Sequence, residues 1–353
     1  MLCGEGVSSA SGCARYWIPI LIPVSILISG FMKIGMVGCG ALGSFYGAKL
    51  CRDGQEVHFL LRSDYEVVRR KGVRVHSVEG DFRVHPKCAR APEQIGVCHL
   101  VLIGLKTTAN DQFSRMLPPL VGEGSAVMTL QNGLGNEEQL AALFGRERIL
   151  GGLCFVCLNR VEPGVVHHLA HGTIVMGEHG RWPEPRTHDI ASLFRHAGVP
   201  CKVTDSLERA HWEKLVWNIP FNGLGVASAA GYEALSAPRS ALGMPRSLGP
   251  CLTTDQLLAD SRWESLVREL MLEVIGAANA LGFKISESVA AKQIARTLAM
   301  GAYKASTLID FERRQPLELE SMFLEPLRQA RRAGVQAPRL AALCAVLKEL
   351  NPA

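Results

Sequence analysis

From residue 32 onward the chain alternates short, wholly apolar runs with longer stretches of mixed polarity. "KIGMVG", "EVHFLLR", "HLVLIGLK" and "SAVMTLQNG" are runs of strand length, and their unbroken apolar character predicts strands covered on both faces, as in a parallel sheet. "GVVHHLAHGTIVMGE" reads as a hairpin closing this part of the chain. After "VPCKVTD" the pattern changes to a helical period: "SLERAHWEKLVWN", "RWESLVRELMLEVIGAANALG", "SVAAKQIARTLAMG", "KASTLIDFERRQ" and "LELESMFLEPLRQARRAG". Between the first two lies "SAPRSALGMPRSLGPCLTTDQ", whose proline, glycine and serine mark an irregular surface connection. The expected fold class is α/β, a doubly wound N-terminal domain over residues 32–203 followed by a mainly α-helical domain over 204–353.

The turn after the first strand carries chemistry. "GCGALG" (Gly38, Cys39, Gly40, Ala41, Leu42, Gly43) stands between that strand and the helix-forming "SFYGAKLCRDG". In this setting G-x-G-x-x-G is a dinucleotide-binding turn of Rossmann type. Gly38 permits the tight turn, Gly40 lets backbone approach a pyrophosphate, and Gly43 lets the helix pack closely with its N-terminus facing the phosphates. About 20 residues on, where NAD enzymes place an acid for the ribose 2′-hydroxyl, stands Arg62 followed by Ser63. A guanidinium there suits a 2′-phosphate and favours NADP(H). Lys106 and Thr107, and then Gln131 and Asn132, end later strands, where a doubly wound sheet binds its ligands.

In the helical half, Lys214, Asn218 and Asn222 recur at four-residue intervals among Leu215, Val216, Ile219 and Phe221, a polar stripe on an otherwise buried face, with Pro220 bending the helix between the asparagines. "KASTLIDFERRQPLELE" offers Ser306, Asp310, Glu318 and Glu320. Pro316 suits the first turn of a new helix, which puts Glu318 in that turn, where the helix dipole also favours a carboxylate.

Composition narrows the function. The 38 basic and 33 acidic residues leave a net charge of +5 with no basic run or aromatic-basic interleaving, which argues against a nucleic-acid partner and for a small anionic ligand. The 11 cysteines suit a reducing cytoplasm. Cys154 and Cys157, in "CFVC", lie in an apolar run without a second ligand pair and read as buried thiols. His167, His168 and His171 alternate with apolar residues as strand surface rather than as metal ligands. "WIPILIPVSILISGF", before Met32, is short of the ~20 residues needed to span a bilayer and has no clear cleavage site. Residues 1–31 are therefore expected to be a start-site extension or leader, and no membrane association is expected.

Taken together, "KIGMVGCGALG", Arg62, "LQNG", W-x-K-L-x-x-N-x-x-x-N, and "KASTLID" leading to "LELE" closely resemble the ketopantoate reductase family, the 2-dehydropantoate 2-reductases, from Met32 to about Leu340. The resemblance implies an NADPH-binding Rossmann domain joined to a helical domain. The activity it implies is reduction of 2-dehydropantoate to (R)-pantoate, a step of pantothenate and coenzyme A synthesis. It implies that Gly38 to Gly43, Arg62, Lys106 and Asn132 hold NADPH, with Asn132 near the nicotinamide, and that Lys214 is the catalytic acid. Asn132, Asn218, Asn222 and Ser306 would hold the substrate, and Glu318 would accept a hydrogen bond from a substrate hydroxyl while holding the lysine. "PLELE" and the long 230–252 connection depart from the family's pattern on the substrate side, which leaves open another branched 2-keto acid as substrate, or a silent NADP(H) sensor. The helical domain is compatible with a homodimer.

Overall fold

The computed structural model describes residues 32–236 and 247–351. The 1–31 extension and residues 237–246 of the irregular connection lie outside the described residues.

The N-terminal half is built on ten strands, β1 (Lys33–Val37), β2 (Glu56–Leu60), β3 (Val73–Ser77), β4 (Phe82–Val84), β5 (Lys87–Ala89), β6 (Cys98–Ile103), β7 (Val121–Thr129), β8 (Ile149–Glu162), β9 (Val165–Glu178) and β10 (Cys201–Val203), which form one mixed sheet in the order β4-β3-β9-β8-β7-β6-β1-β2-β5, with β10 also pairing β9. Its central strands β1 (Lys33–Val37), β2 (Glu56–Leu60), β6 (Cys98–Ile103) and β7 (Val121–Thr129) are parallel neighbours. The unbroken apolar runs follow from burial on both faces. Ile34, Met36, Leu100 and Leu102 face a core shared with Phe45, Tyr46 and Phe194, whereas Val37, Val101 and Ile103 face one shared with Phe113 and Leu140. The first core is roofed by α1 (Ala41–Arg52) and by the helix Pro185–His196. Over the second lies α2 (Asn136–Phe144).

The hairpin differs from the sequence reading in extent and place. The run that begins "ILGGLCFVCL" is its first arm, β8 (Ile149–Glu162), and β9 (Val165–Glu178) is its second. It does not close the sheet, because β3 (Val73–Ser77) and β10 (Cys201–Val203) pair parallel with the other side of β9. Nor is His168 strand surface. It is buried, bonds Ser77 Oγ at 2.8 Å and the His171 carbonyl at 2.8 Å, and packs its ring on Phe45. Continuing the sheet beyond β9 pairs an edge that a terminal hairpin would leave open, and α1 covers the His168 ring through Phe45.

The helical half is organised around α3 (Leu207–Ala227), whose first turn is capped by Ser206 accepting from the Arg209 amide at 3.3 Å. Leu215, Val216, Ile219, Phe221, Leu224 and Val226 are all buried, and α4 (Ser261–Ala280), α5 (Ser306–Glu312) and α6 (Pro338–Leu350) pack around the helix. A helix enclosed in this way is apolar on most faces. Each fully buried aliphatic or phenyl side chain contributes about 1.5–3 kcal/mol to holding it. The helix runs unbroken through Pro220. Among the described residues no helix is long and apolar enough to cross a membrane, and no group of three or more His, Cys, Asp or Glu could hold a metal ion.

Candidate active site

The carboxyl ends of β1, β2, β6 and β7 and the start of α3 meet at one junction, and the residues singled out in the sequence distribute around it. At the end of β1 the glycine turn takes the expected form. Gly38 has φ +94°, and a Cβ on it would lie 2.3 Å from the Leu105 amide nitrogen, so only glycine fits. A Cβ on Gly43 would lie 2.2 Å from the Gly38 carbonyl, whereas one on Gly40 would meet nothing within 4 Å. The helix that follows has no side-chain cap at Gly40, which leaves its first-turn amides available to an anion. Such a turn can hold a dinucleotide pyrophosphate. Gly43→Ala is accordingly expected to weaken dinucleotide binding by about tenfold or more, since helix and turn must separate to admit the methyl. A fluorescence titration beside a thermal melt checks this, and unchanged affinity in a folded variant would contradict it.

Arg62 is exposed two residues past β2. Behind it Asp64, buried, accepts a hydrogen bond from Ser63 Oγ at 2.9 Å and pairs with Arg160 of β8 at 2.7 Å, which pins the loop that carries Arg62.

The lysine is the centre of the second cluster. Lys214 Nζ donates to Asn132 Oδ1 at 2.8 Å and to the Cys154 carbonyl at 2.8 Å, so two of its three N–H donors are engaged. Burial lowers it from the usual lysine range to about 8, against the opposing influence of Cys154 and of the Glu318 carboxylate. The Cys154 thiol is itself pushed up to about 11 by burial.

Asn132 is held by a buried amide chain. Asn136 Nδ2 donates to its carbonyl at 3.0 Å, Asn110 donates to Asn136 at 2.9 Å, and Gln131 donates to Asn110 at 2.8 Å. Gln131 is thus consumed in support rather than presented to a ligand.

Asn218 and Asn222 part company. Asn222 Oδ1 accepts from Ser306 Oγ at 3.2 Å and from the Thr307 amide at 3.1 Å, so it fixes the start of α5 together with Ser306. Asn218 is 7% exposed, and no described group bonds its amide. Every wholly buried side-chain nitrogen and oxygen among the described residues has a partner, so the Asn218 amide is the part of that residue left open.

Glu318 departs from its expected place. It lies outside the first turn and precedes a helix that begins at Leu319, with Glu320–Leu324 wound as a π turn. Its carboxylate does not bond Lys214. It accepts from the Thr107 amide at 2.8 Å and from Lys106 Nζ at 3.2 Å, and Lys106 also pairs with Asp310 at 2.8 Å. Lys106 is half exposed while Glu318 is 6% exposed. Burial disfavours the Lys106 charge, but the two carboxylates outweigh it and hold the group above its usual range, while burial raises Asp310 against the pull of Lys106. Ser321 Oγ donates to Thr107 Oγ1 at 2.9 Å, and the Leu134 amide donates to the Ser321 carbonyl at 2.9 Å. The ends of β6 and β7 are thereby tied to one turn of the helical half.

The family model described as ketopantoate reductase PanE/ApbA matches residues 34–181, and the corresponding C-terminal model matches 247–351. The chain belongs to the ketopantoate reductase family. The 2-dehydropantoate 2-reductase of Nostoc sp. (strain PCC 7120) is 37% identical over 329 residues, covering 90% of this chain and 95% of that protein. Among solved structures, a 2-dehydropantoate 2-reductase from Geobacter metallireducens GS-15 is 47% identical with a TM-score of 0.81, covering 90% of this chain and 99% of that one. A D-mandelate dehydrogenase solved with NADH and anilino(oxo)acetate, 17% identical with a TM-score of 0.77 over 90% of this chain, shares the fold. Membership makes the chain a pyridine-nucleotide-dependent oxidoreductase. Sequence reasoning about this family site missed the Cys154 carbonyl, which no residue type announces. It also missed Phe155, whose ring lies 5.2 Å from Lys214 Nζ and which an apolar strand run conceals.

Proposed function

We propose that the protein reduces 2-dehydropantoate to pantoate with NADPH, with Lys214 as the acid. The observation that carries this reading is Lys214 itself: a partly buried lysine with a lowered pKa, its ammonium anchored by two acceptors, with one N–H donor left for a third. The names of relatives at 37–47% identity over most of the chain support the substrate. The reading carries the pathway that the resemblance implies, pantothenate and coenzyme A synthesis, and treats 32–203 as the nucleotide domain and 204–353 as the substrate domain.

The nicotinamide would supply hydride to the keto carbon. Gly38 to Gly43 would receive the pyrophosphate at the uncapped helix start, and Arg62 the 2′-phosphate. Asn132 would lie beside the nicotinamide with its carbonyl fixed by Asn136. As the keto carbon is reduced, negative charge grows on oxygen. Lys214 stabilises that charge and transfers its proton to complete the alcohol. Asn218, open and one turn beyond the lysine, would bond the carboxylate or a hydroxyl of the substrate. Asn222 and Ser306 act by seating α5. Glu318 has two of its roughly four lone-pair positions taken and can still accept a substrate hydroxyl, while it orients Lys106.

Cofactor choice tests the nucleotide half. Arg62→Ala is expected to lower kcat/KM for NADPH by about 10- to 100-fold, the effect of charge-assisted bonds to phosphate, and to leave NADH nearly unchanged. An equal loss for both cofactors would show that Arg62 does not read the phosphate.

A further inference from the structure

Phe155 is the least expected feature of the junction. It sits at the end of the apolar run of β8, yet 42% of it is exposed, and large apolar side chains left open beside convergent polar groups mark ligand surfaces. Its ring lies 5.2 Å from Lys214 Nζ, and the neighbouring Cys154 carbonyl is one of the two acceptors that anchor that ammonium. One helical turn beyond the lysine is Asn218, buried but with its amide open.

The ladder that carries this ring is interrupted by a bulge in β9, the partner strand. Pairing of β8 with β9 shifts register between Phe155, opposite Thr173, and Val156, opposite His171. The extra residue is Gly172, at φ +132°, and His171 beside it is at φ +64°. A bulge of this kind re-aims side chains on a strand. In the helical half Tyr303 packs on Trp217, whose indole donates to Thr297 Oγ1 at 2.9 Å. Those rings are fixed by protein partners, whereas the Phe155 ring has an open face.

We propose that Phe155 determines which 2-keto acids are accepted, its open face forming the apolar wall against which a branched alkyl group next to the keto carbon packs. The inference rests on the reading of Lys214 as the acid at the keto oxygen. With the oxygen at the lysine and the carboxylate or a hydroxyl at Asn218, the ring at 5.2 Å from the ammonium is left to meet the carbon beyond the keto group. In 2-dehydropantoate that carbon carries two methyl groups. Binding at such a wall discriminates by the methyl groups it covers, with about 10- to 200-fold for each methylene-sized difference.

The test measures NADPH oxidation by wild type, Phe155→Ala and Phe155→Leu with four acids: 2-dehydropantoate, 2-ketoisovalerate, pyruvate and phenylglyoxylate. For Phe155→Ala, kcat/KM is expected to fall about 10- to 100-fold for the two branched acids, mainly through KM. Pyruvate, which reaches no wall, is expected to change little, and phenylglyoxylate to gain relative to the branched acids. Phe155→Leu is expected to keep the wild-type ranking, and it carries the comparison with a Phe155→Trp variant, expected to disfavour the branched acids, if the alanine variant does not fold. One common factor of loss across all four acids, or an unchanged ranking in both Phe155→Ala and Phe155→Trp, would overturn the role of Phe155 while leaving the reductase reading intact. A wild type silent on all four acids would instead overturn that reading.

Discussion

Lys214→Ala is expected to lower kcat/KM for 2-dehydropantoate by about 10²- to 10⁴-fold, the range typical of a positioned general acid, with NADPH affinity little changed. The size follows from the environment. The ammonium is enclosed by Asn132 Oδ1, the Cys154 carbonyl and the Phe155 ring, where a developing oxyanion is poorly solvated and interacts strongly with that cation. Alanine removes both the charge and the proton. Steady-state kinetics with saturating NADPH, beside a direct NADPH titration, measure the two effects separately. A variant that keeps more than about a tenth of wild-type kcat/KM would contradict the assignment of the proton to Lys214.

The second large effect is expected at Glu318. Glu318→Ala leaves the Thr107 amide without its acceptor and leaves Lys106 with Asp310 alone. A buried donor left unpaired costs about 1–3 kcal/mol. The Thr107 segment then shifts relative to Ser321, which it bonds through its hydroxyl, and misplacement on the scale of an ångström costs on the order of 10²-fold in rate. The expected result is a melting temperature lower by a few degrees together with kcat/KM reduced about 100-fold. Glu318→Gln retains an acceptor for the amide and is expected to recover the stability but not the activity, because the neutral amide no longer orients Lys106. Recovery of both would mean that Glu318 serves only as an acceptor for the Thr107 amide.

Much of this arrangement is legible in the chain. The dinucleotide turn is visible because tight turn, close approach and helix packing each demand glycine at a fixed spacing, and the structure shows those constraints as contacts of 2.2–2.3 Å awaiting any Cβ at Gly43 and Gly38. Lys214 and Asn218 are visible because polar residues at helical spacing in a buried helix need a reason to be there. What the sequence hides is partnership. Asn222 carries the same spacing signal as Asn218 but bonds Ser306, and nothing in a one-dimensional pattern separates an amide that binds protein from one left open. Glu318 and Lys106 lie 212 positions apart and meet only through the fold. His168 has the alternation of a surface strand residue and becomes buried because Phe45 of α1 packs on its ring and Ser77 and the His171 carbonyl bond its nitrogens. The short strands Phe82–Val84 and Lys87–Ala89 have too few residues to establish a period.

The most direct measurement is the rate of NADPH oxidation by the purified protein on addition of 2-dehydropantoate, followed from pH 6 to 10. Lys214 acts in its protonated form, and burial places its pKa at about 8 rather than in the usual lysine range. Turnover is expected to be rapid at neutral pH and to decline as the pH rises through about 8. No oxidation at any pH, or turnover that stays level through that range, would contradict it.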